Sequence, residues 1–404
     1  MTQPLRIAMI GAGFMGAAHS QGWRVAPRFF DLPLAPEMSV LVGRDAARTQ
    51  AAAETWGWQE SATDWREVIH RSDIDVVDIV TPGDSHAEIA IAALAAGKHV
   101  LCEKPLANTV DEARRMAEAA SSAADNGIRS MVGFTYRRLP ATTFARDLVV
   151  AGRLGDIRQV RAEYLQDWLS DAEAPLTWRL QKDRAGSGAL GDIGAHAVDL
   201  TEFITGQRVS RVAGILETIV DERPVLASST GLSGSAGTER GAVTVDDLAL
   251  FTGRLESGAL ASFEASRFRL GRKNALRIEI AGSLGSLSFD LESPNELQFY
   301  DATLPAAEQG FRRILVTEPE HPYVAAWWPT GHMLGYEHGF SHQAKDFVEA
   351  VAAGAAPTPS FADGLHVQEV LDAVARSSEA DGVWTGVDAD LATASSGGRA
   401  FAAS

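Results

Sequence analysis

Lys104 lies in Glu103-Lys104-Pro105 at the end of an apolar run, and Asp192, His196 and Asp199 recur at positions i, i+4 and i+7. A lysine at the carboxyl end of a parallel strand can donate to a ligand hydroxyl or carbonyl, with Pro105 fixing the backbone beside it. The second spacing puts three polar side chains on one helix face. An imidazole whose ordinary pKa is about 6.5 can accept a hydroxyl proton while hydride leaves the same carbon. Asp192 could orient that ring or hold a second hydroxyl. Each feature alone also fits a plainer reading, a surface lysine in one case and a capped helix with solvated polar residues in the other. Two carboxylates and a histidine could bind a cation, but no His-x-His or cysteine ligand accompanies them, so no metal is expected.

A third stretch, Gly11-Ala12-Gly13-Phe14-Met15-Gly16, follows the apolar run 7–10 and precedes a helical pattern. Gly11 permits a tight turn, Gly13 lets a pyrophosphate approach the backbone, and Gly16 lets helix and strand pack closely. The free amides of the helix start then attract phosphate. Three spaced glycines arise by chance, but in strand–turn–helix order they read as a dinucleotide site. After the second strand an acid usually takes the ribose hydroxyls; this chain has Gly43-Arg44-Asp45 there. Arg44 could stack on adenine or pair with a 2′-phosphate, whereas Asp45 would repel that phosphate.

The elements that must position these groups change character near residue 140. Up to that point apolar strands (38–43, 75–82, 98–105, 130–137) alternate with helices (86–97, 109–124). This pattern implies a parallel sheet covered on both faces. Beyond it, a helix at 140–151 leads to an amphipathic strand at 155–168 and then to a series of alternating segments, an open and mostly antiparallel sheet covered by helices on one face. The fold class is therefore α/β, a doubly wound parallel sheet over 1–138 followed by an α/β domain over 139–404. Residues 222–241, rich in Ser and Gly, read as a long surface loop. Residues 392–404 read as a disordered tail or an oligomer contact. A sheet with one uncovered apolar face implies a homodimer or homotetramer.

At 404 residues two domains are expected, and 46% hydrophobic with 22% charged residues describes an ordinary soluble protein. No apolar stretch is long enough to span a bilayer, and the N-terminus runs straight into a strand. The single Cys102 excludes an internal disulfide and a cysteine-based metal site. A cytoplasmic protein is expected. A net charge of −17 disfavours nucleic acid and anionic membranes as partners.

Aromatic residues near the presumed site (Tyr136, Trp168, Trp178, Trp327, Trp328) fit recognition of a sugar ring, whose C–H faces pack on aromatic surfaces. Tyr136, Gln166 and Trp168 are the substrate-facing expectation among them. Trp56, Trp58 and Trp65 read as core. Arg137, Arg138 and Lys182 could balance an anionic substituent on the substrate but read first as solvated surface charge.

Taken in order, Gly11–Gly16, Thr81-Pro82-Gly83-Asp84-Ser85-His86, Glu103-Lys104-Pro105 and 191–200 resemble the Gfo/Idh/MocA oxidoreductases over nearly the whole chain. Segments 164–168, 175–182 and 311–336 resemble the pyranoside-oxidising members. The resemblance implies a Rossmann domain followed by a substrate domain, with NAD as cofactor and NADP as the open alternative. It places Gly11, Gly13, Phe14, Met15, Gly16, Arg44, Thr81, Pro82, His86, Glu103, Lys104, Trp178 and Arg179 along the cofactor. It implies that Lys104 polarises the reacting hydroxyl, that His196 is the acid/base, and that Asp192 contacts the sugar, with His338 a further substrate-side position. Gly83 departs from the family's usual Asn, which puts one cofactor contact in question. The implied reaction is oxidation of a ring secondary hydroxyl of a pyranose, anhydrosugar, glycoside or cyclitol. Two other readings stand beside it: an NAD-dependent glycosidase with no net redox change, and a non-catalytic nucleotide-binding sensor, which would need none of Lys104, Asp192 and His196.

Overall fold

Short apolar runs separated by helices cannot pair as hairpins, so the first third of the chain closes into a parallel sheet by right-handed crossovers. The structure is a computed structural model and describes residues 3–230 and 233–387, with the backbone alone over 226–230 and 233–236. Strands β1 (Pro4–Ile10), β2 (Ala35–Val42), β3 (Glu60–Ala62), β4 (Val76–Ile79), β5 (His99–Cys102) and β6 (Ser130–Val132) take the order β3-β2-β1-β4-β5-β6. Every pair is parallel. Helices α1 (Phe14–Phe29), α2 (Ala46–Trp56), α3 (Trp65–Ile69), α4 (His86–Ala95) and α5 (Val110–Ala124) connect them. The strand order reverses between β1 and β4, and ligands of such sheets bind outside the carboxyl ends at that point. The loop Gly11–Gly13 leaves β1 there and Thr81 leaves β4 beside it.

After helix α6 (Pro140–Val150) the chain builds a second sheet from β7 (Ile157–Leu165), β8 (Val209–Glu217), β11 (Leu248–Leu255), β12 (Leu260–Ser266), β13 (Ala275–Gly282), β14 (Gly285–Asp290), β15 (Glu296–Asp301), β16 (Arg312–Leu315) and β17 (Thr385–Gly386). Their order is β16-β15-β14-β13-β7-β12-β11-β8-β17, antiparallel except where β7 and β12 pair. Helices α6, α8 (Ala195–Thr205) and α10 (Phe361–Glu379) cover one face. Helix α7 (Lys182–Ala185) reaches toward the first sheet, and α9 (Tyr336–Ala353) packs on α1. Ala344, Phe347 and Val348 of α9 share an apolar cluster with Ile7, Met9 and Trp23. The two sheets are thus clasped from both ends of the chain.

Two expectations are corrected. Residues 222–241 are not a loop: β9 (Glu222–Thr230) and β10 (Ser233–Ala242) form an antiparallel ribbon. Its base is tied down by buried Arg223, which donates to the carbonyls of Leu169 (2.8 Å) and Asp171 (2.6 Å), and by Arg240, which donates to Glu222 O (2.8 Å). Small residues concealed a strand pair that arginine anchors. The uncovered face of the large sheet is not apolar either. The period-two alternation that sends Val160 and Ile278 inward sends Arg161, Glu163 and Arg277 outward, where they pair with each other and with Asp290. Exposed Ile215 and Leu250, in register with each other, are an apolar patch within that charged surface. The sheet face therefore supplies no argument for assembly. No helix among the described residues is long and apolar enough to cross a membrane.

The tail at 392–404 lies outside the described residues.

Candidate active site

Gly11 has φ +125°, and a Cβ there would lie 2.8 Å from the Val80 carbonyl oxygen; one on Gly16 would lie 2.5 Å from Gly11 O. Both positions admit only glycine. A Cβ on Gly13 would meet nothing within 4 Å. Gly13 is the N-cap of α1 and offers no side-chain oxygen to the amides of its first turn. First-turn amides left without a side-chain cap suit the phosphates of a dinucleotide. Gly13→Ala is expected to leave the fold intact and weaken NADH binding by about tenfold, roughly 1.4 kcal/mol. Nucleotide fluorescence titration beside a thermal scan of the free protein checks both halves.

Around this turn the expected side chains fall into different roles. Phe14 is exposed and stacks on Tyr336 at 6.5 Å. Met15 packs half-buried against the cluster of Leu5, Ile7 and Met9. Arg44 is exposed past β2, while Asp45 is engaged as the cap of α2, accepting from Arg48 N at 3.0 Å. Thr81 Oγ1 accepts from the Ser85 hydroxyl at 2.7 Å. His86 is not brought to the cleft: its buried ring lies between the carbonyls of Thr81 (2.9 Å from Nε2) and Pro105 (3.0 Å from Nδ1), bridging the Thr81-Pro82 loop and the lysine segment. Above Gly83 stands a residue the sequence did not flag. The carboxamide oxygen of Asn108 would clash with a Cβ on Gly83, and it is buried without a partner among the described residues. Asn108 Nδ2 donates to Arg184 O at 3.0 Å, and the Arg184 guanidinium donates to Asp84 at 2.5 Å. The α7 segment thus closes over this loop.

Lys104 and Asp192 meet across the two sheets. Buried Asp246 accepts from the amides of Gly188 and Leu190, both at 2.7 Å, and so fixes the start of a π-helical turn, Leu190–Gly194. The Lys104 ammonium donates to Asp192 O at 2.7 Å and Asp192 Oδ1 at 3.3 Å. Arg267, buried and missed in the sequence, donates to Asp192 Oδ2 at 3.0 Å and Gly188 O at 2.8 Å. Burial works against the Asp192 carboxylate, but the charges of Lys104, Arg267 and Arg179 outweigh it and hold its pKa well below the usual range. Arg179 lies over the Trp178 ring at 4.5 Å. One ammonium N–H of Lys104 has no acceptor among the described residues.

His196 follows one turn later, with Phe134 (5.9 Å), Tyr136 (4.6 Å) and Tyr164 (5.8 Å) around its ring. Burial first, and the Lys104 charge second, push its pKa well below that of an ordinary histidine, with Asp192 opposing. The imidazole is neutral at neutral pH and able to accept a proton. From Tyr136 a line of contacts leads outward. Tyr136 and Tyr164 share a hydrogen bond of 2.8 Å, Tyr164 donates to Asn274 Oδ1 at 2.7 Å, Gln166 Nε2 donates to the same oxygen at 2.8 Å, and the Trp168 indole donates to Gln166 Oε1 at 2.9 Å. Tyr136 thus packs on His196, Gln166 and Trp168 follow along the same line of hydrogen bonds, and Tyr336 meets Tyr136 edge-on at 6.4 Å.

Asp199 does not share the face of Asp192 and His196. After the π turn it points to Arg137, which binds it through Nε (2.9 Å) and Nη2 (2.6 Å) in a buried pair. Arg138 is buried on Asp346 at 3.1 Å. Neither arginine is solvated surface charge, because each neutralises an acid brought in by another helix. His338 is not brought to the site: its Nδ1 accepts from Gly335 N at 3.0 Å and its ring packs edge-on to Trp327 at 4.5 Å. Trp327 and Trp328 gather with Phe29 in a crevice at the other side of α9.

Beneath Lys104 lies a buried triad. The His19 ring contacts both Asp78 oxygens (2.9 and 3.0 Å) through Nδ1 and Glu103 Oε1 (3.0 Å) through Nε2, and the Trp23 indole donates to Asp78 at 2.7 Å. Glu103 is therefore held from below, next to the lysine. A carboxylate inside the apolar strand Val76–Ile79 was the available signal, since a buried acid demands a partner.

Comparison with known proteins bears on this site. Residues 5–134 match the model described as oxidoreductase family, NAD-binding Rossmann fold, and residues 142–288 match the GFO/IDH/MocA C-terminal domain. Levoglucosan dehydrogenase of Pseudarthrobacter phenanthrenivorans is 42% identical over 381 residues, covering 93% of this chain and 96% of that one. The oxidoreductase domain protein of Kribbella flavida superposes with TM-score 0.91 at 62% identity, covering 96% of this chain and all of the other. A levoglucosan dehydrogenase complex with NADH and levoglucosan superposes with TM-score 0.89 at 41% identity, over 95% and 100% of the two chains. The glycine turn, the lysine–aspartate–histidine cluster between two sheets and these matches lead to one statement: the chain belongs to the Gfo/Idh/MocA family of NAD-dependent oxidoreductases.

Proposed function

We propose that this chain oxidises a ring secondary hydroxyl of a pyranose, anhydrosugar, glycoside or cyclitol, with Lys104 and His196 handling the proton. The observation that carries this reading is the Lys104 ammonium fixed on Asp192 within electrostatic reach of a neutral, walled-in His196. The likeness to levoglucosan dehydrogenase over nearly the whole chain supports the substrate class. A nicotinamide cofactor held along the Gly11–Gly16 turn would supply the acceptor for the hydride of the carbinol carbon. The free N–H of Lys104 donates to the reacting oxygen and favours its alkoxide character. His196 takes the hydroxyl proton. Asp192, gripped by Lys104 and Arg267, sets the height of the ammonium and faces a second hydroxyl. Tyr136, Gln166 and Trp168 receive the rest of the ring, and phenyl and phenol walls keep water from the imidazole. Thr81, Asn108, Trp178 and Arg179 border the cofactor side, Asn108 supplying the carboxamide that Gly83 lacks.

The test is a panel of levoglucosan, pyranosides and cyclitols with NAD and with NADP, followed at the absorbance of reduced nicotinamide. Stoichiometric NADH from at least one ring alcohol is the expected result. Cofactor binding without reduction by any member would defeat the reading, and aglycone release with only catalytic NAD would replace it by redox-assisted glycoside cleavage. The pH dependence carries a further expectation. With a depressed pKa, His196 stays a competent base through neutral pH, and kcat/KM falls only on the acid side of the ordinary histidine range. Lys104→Met removes a charge that lowers that pKa, so its weaker activity should lose its acid limb at higher pH. An acid limb unmoved between the two proteins would separate the lysine from the base.

A further inference from the structure

The line of hydrogen bonds behind Tyr136 has a direction, and that direction can be read without knowing any hydrogen position. It starts at an indole. The Trp168 N–H can only donate, so the Gln166 atom facing it at 2.9 Å is the carbonyl oxygen. The other end of that amide, Nε2, can only donate, so the Asn274 atom facing it at 2.8 Å is Oδ1. The same Oδ1 lies 2.7 Å from the Tyr164 hydroxyl, which must therefore spend its proton there. Tyr164 is then an acceptor in its 2.8 Å contact with Tyr136, and Tyr136 gives its own proton to the wall. What the Tyr136 hydroxyl can offer a ligand is a lone pair. Its ring is against His196, the base of the proposed reaction, at 4.6 Å.

We propose that Asn274 is a positioning residue that fixes this polarity, so that the site selects sugars presenting a free hydroxyl, as a hydrogen-bond donor, next to the reacting carbinol. The inference builds on the placement of His196 and Tyr136 under Proposed function. Isosteres that accept but do not donate, such as a C–F bond or a methyl ether, leave the Tyr136 oxygen facing another acceptor. A site built to bond a hydroxyl rejects such analogues far more strongly than one that merely surrounds it. Asn274 acts on the substrate through the tyrosine hydroxyls on one side and through Gln166 on the other, and its carboxamide oxygen is the acceptor that Tyr164 and Gln166 share.

The experiment has two arms. Levoglucosan and its singly deoxyfluorinated analogues, one for each non-reacting hydroxyl, are compared in wild type, Asn274→Leu and Asn274→Asp. The inductive effect of fluorine on hydride loss is common to the three proteins and cancels between them. In wild type and Asn274→Asp, whose carboxylate is still only an acceptor, one fluorinated position should cost about 10–100-fold more in kcat/KM than in Asn274→Leu, where Tyr164 and Tyr136 can turn over. Equal discrimination in all three overturns the proposal. The second arm needs neither variant nor turnover. Neutron diffraction from the NADH complex should place the Tyr136 deuterium on the line to Tyr164; a deuterium aimed at His196 or the cleft overturns the polarity directly. Should levoglucosan not be oxidised while the deuterium lies toward Tyr164, the substrate reading has failed and the polarity stands.

Discussion

His196→Ala is expected to lower kcat on the oxidised sugar by about 10²–10⁴, the range for loss of one positioned acid/base group. The expectation follows from what surrounds the ring. Phe134, Tyr136 and Tyr164 leave little room for a water that could replace the imidazole, and Asp192 is committed to Lys104 and Arg267. The effect should fall on kcat rather than on KM, because the proton leaves in the transition state while the sugar is held mainly by the remaining walls. NADH affinity should stay near the wild-type value, since the glycine turn and the first turn of α1 are untouched. Steady-state kinetics with circular dichroism of the variant measure this. Turnover near that of wild type with an intact fold would remove His196 from the reaction.

How much of this was legible before the structure differs from one element to the next. The parallel sheet and the glycine turn were, because their information is local: apolar runs, glycines, and a helix start within a few residues of each other. Lys104, Asp192 and His196 also stood out by type and spacing, and the structure places Lys104 on Asp192 one turn before His196. The polar residues that support them were not. His86 looked like a cofactor contact, yet its partners are the carbonyls of Thr81 and Pro105 in two separate loops. Asp199 lay on the right helical period, but the π turn and the approach of Arg137 gave it another task. Arg267 and Asn274 sit at or beyond strand ends of the second sheet, where no periodicity marks a residue as facing a cleft. Asn108 was invisible because its role depends on the absence of a side chain at Gly83. Local pattern identifies what can react; pairing across the fold decides what holds it.

His19 is where that pairing has its largest consequence for stability. Its partners are 59 and 84 residues away in the chain, and all three side chains are buried. Burial alone would depress the imidazolium; Asp78 and then Glu103 overcome it and raise the His19 pKa to about 10. A folded pKa above the unfolded value of about 6.5 means that the native state holds a proton the unfolded chain releases. This stabilisation is complete below about pH 6.5 and is lost as pH rises toward about 10. The wild-type melting temperature should therefore decline between pH 7 and pH 10. His19→Gln leaves Asp78 and Glu103 buried without a counter-charge, which costs about 3–5 kcal/mol. At about 2–4 °C per kcal/mol for a domain of this size, the midpoint at pH 7 should drop by about 6–20 °C. The variant should also lose most of the alkaline decline, since the group responsible for it is gone. A wild-type midpoint flat from pH 7 to pH 10, together with a variant that melts at the same temperature, would mean that the ring is neutral and the two acids are satisfied without it. Because Glu103 adjoins Lys104, the same variant reports on function: if the triad sets the strand end from which the ammonium reaches Asp192, kcat should fall in His19→Gln even at temperatures where the protein is fully folded.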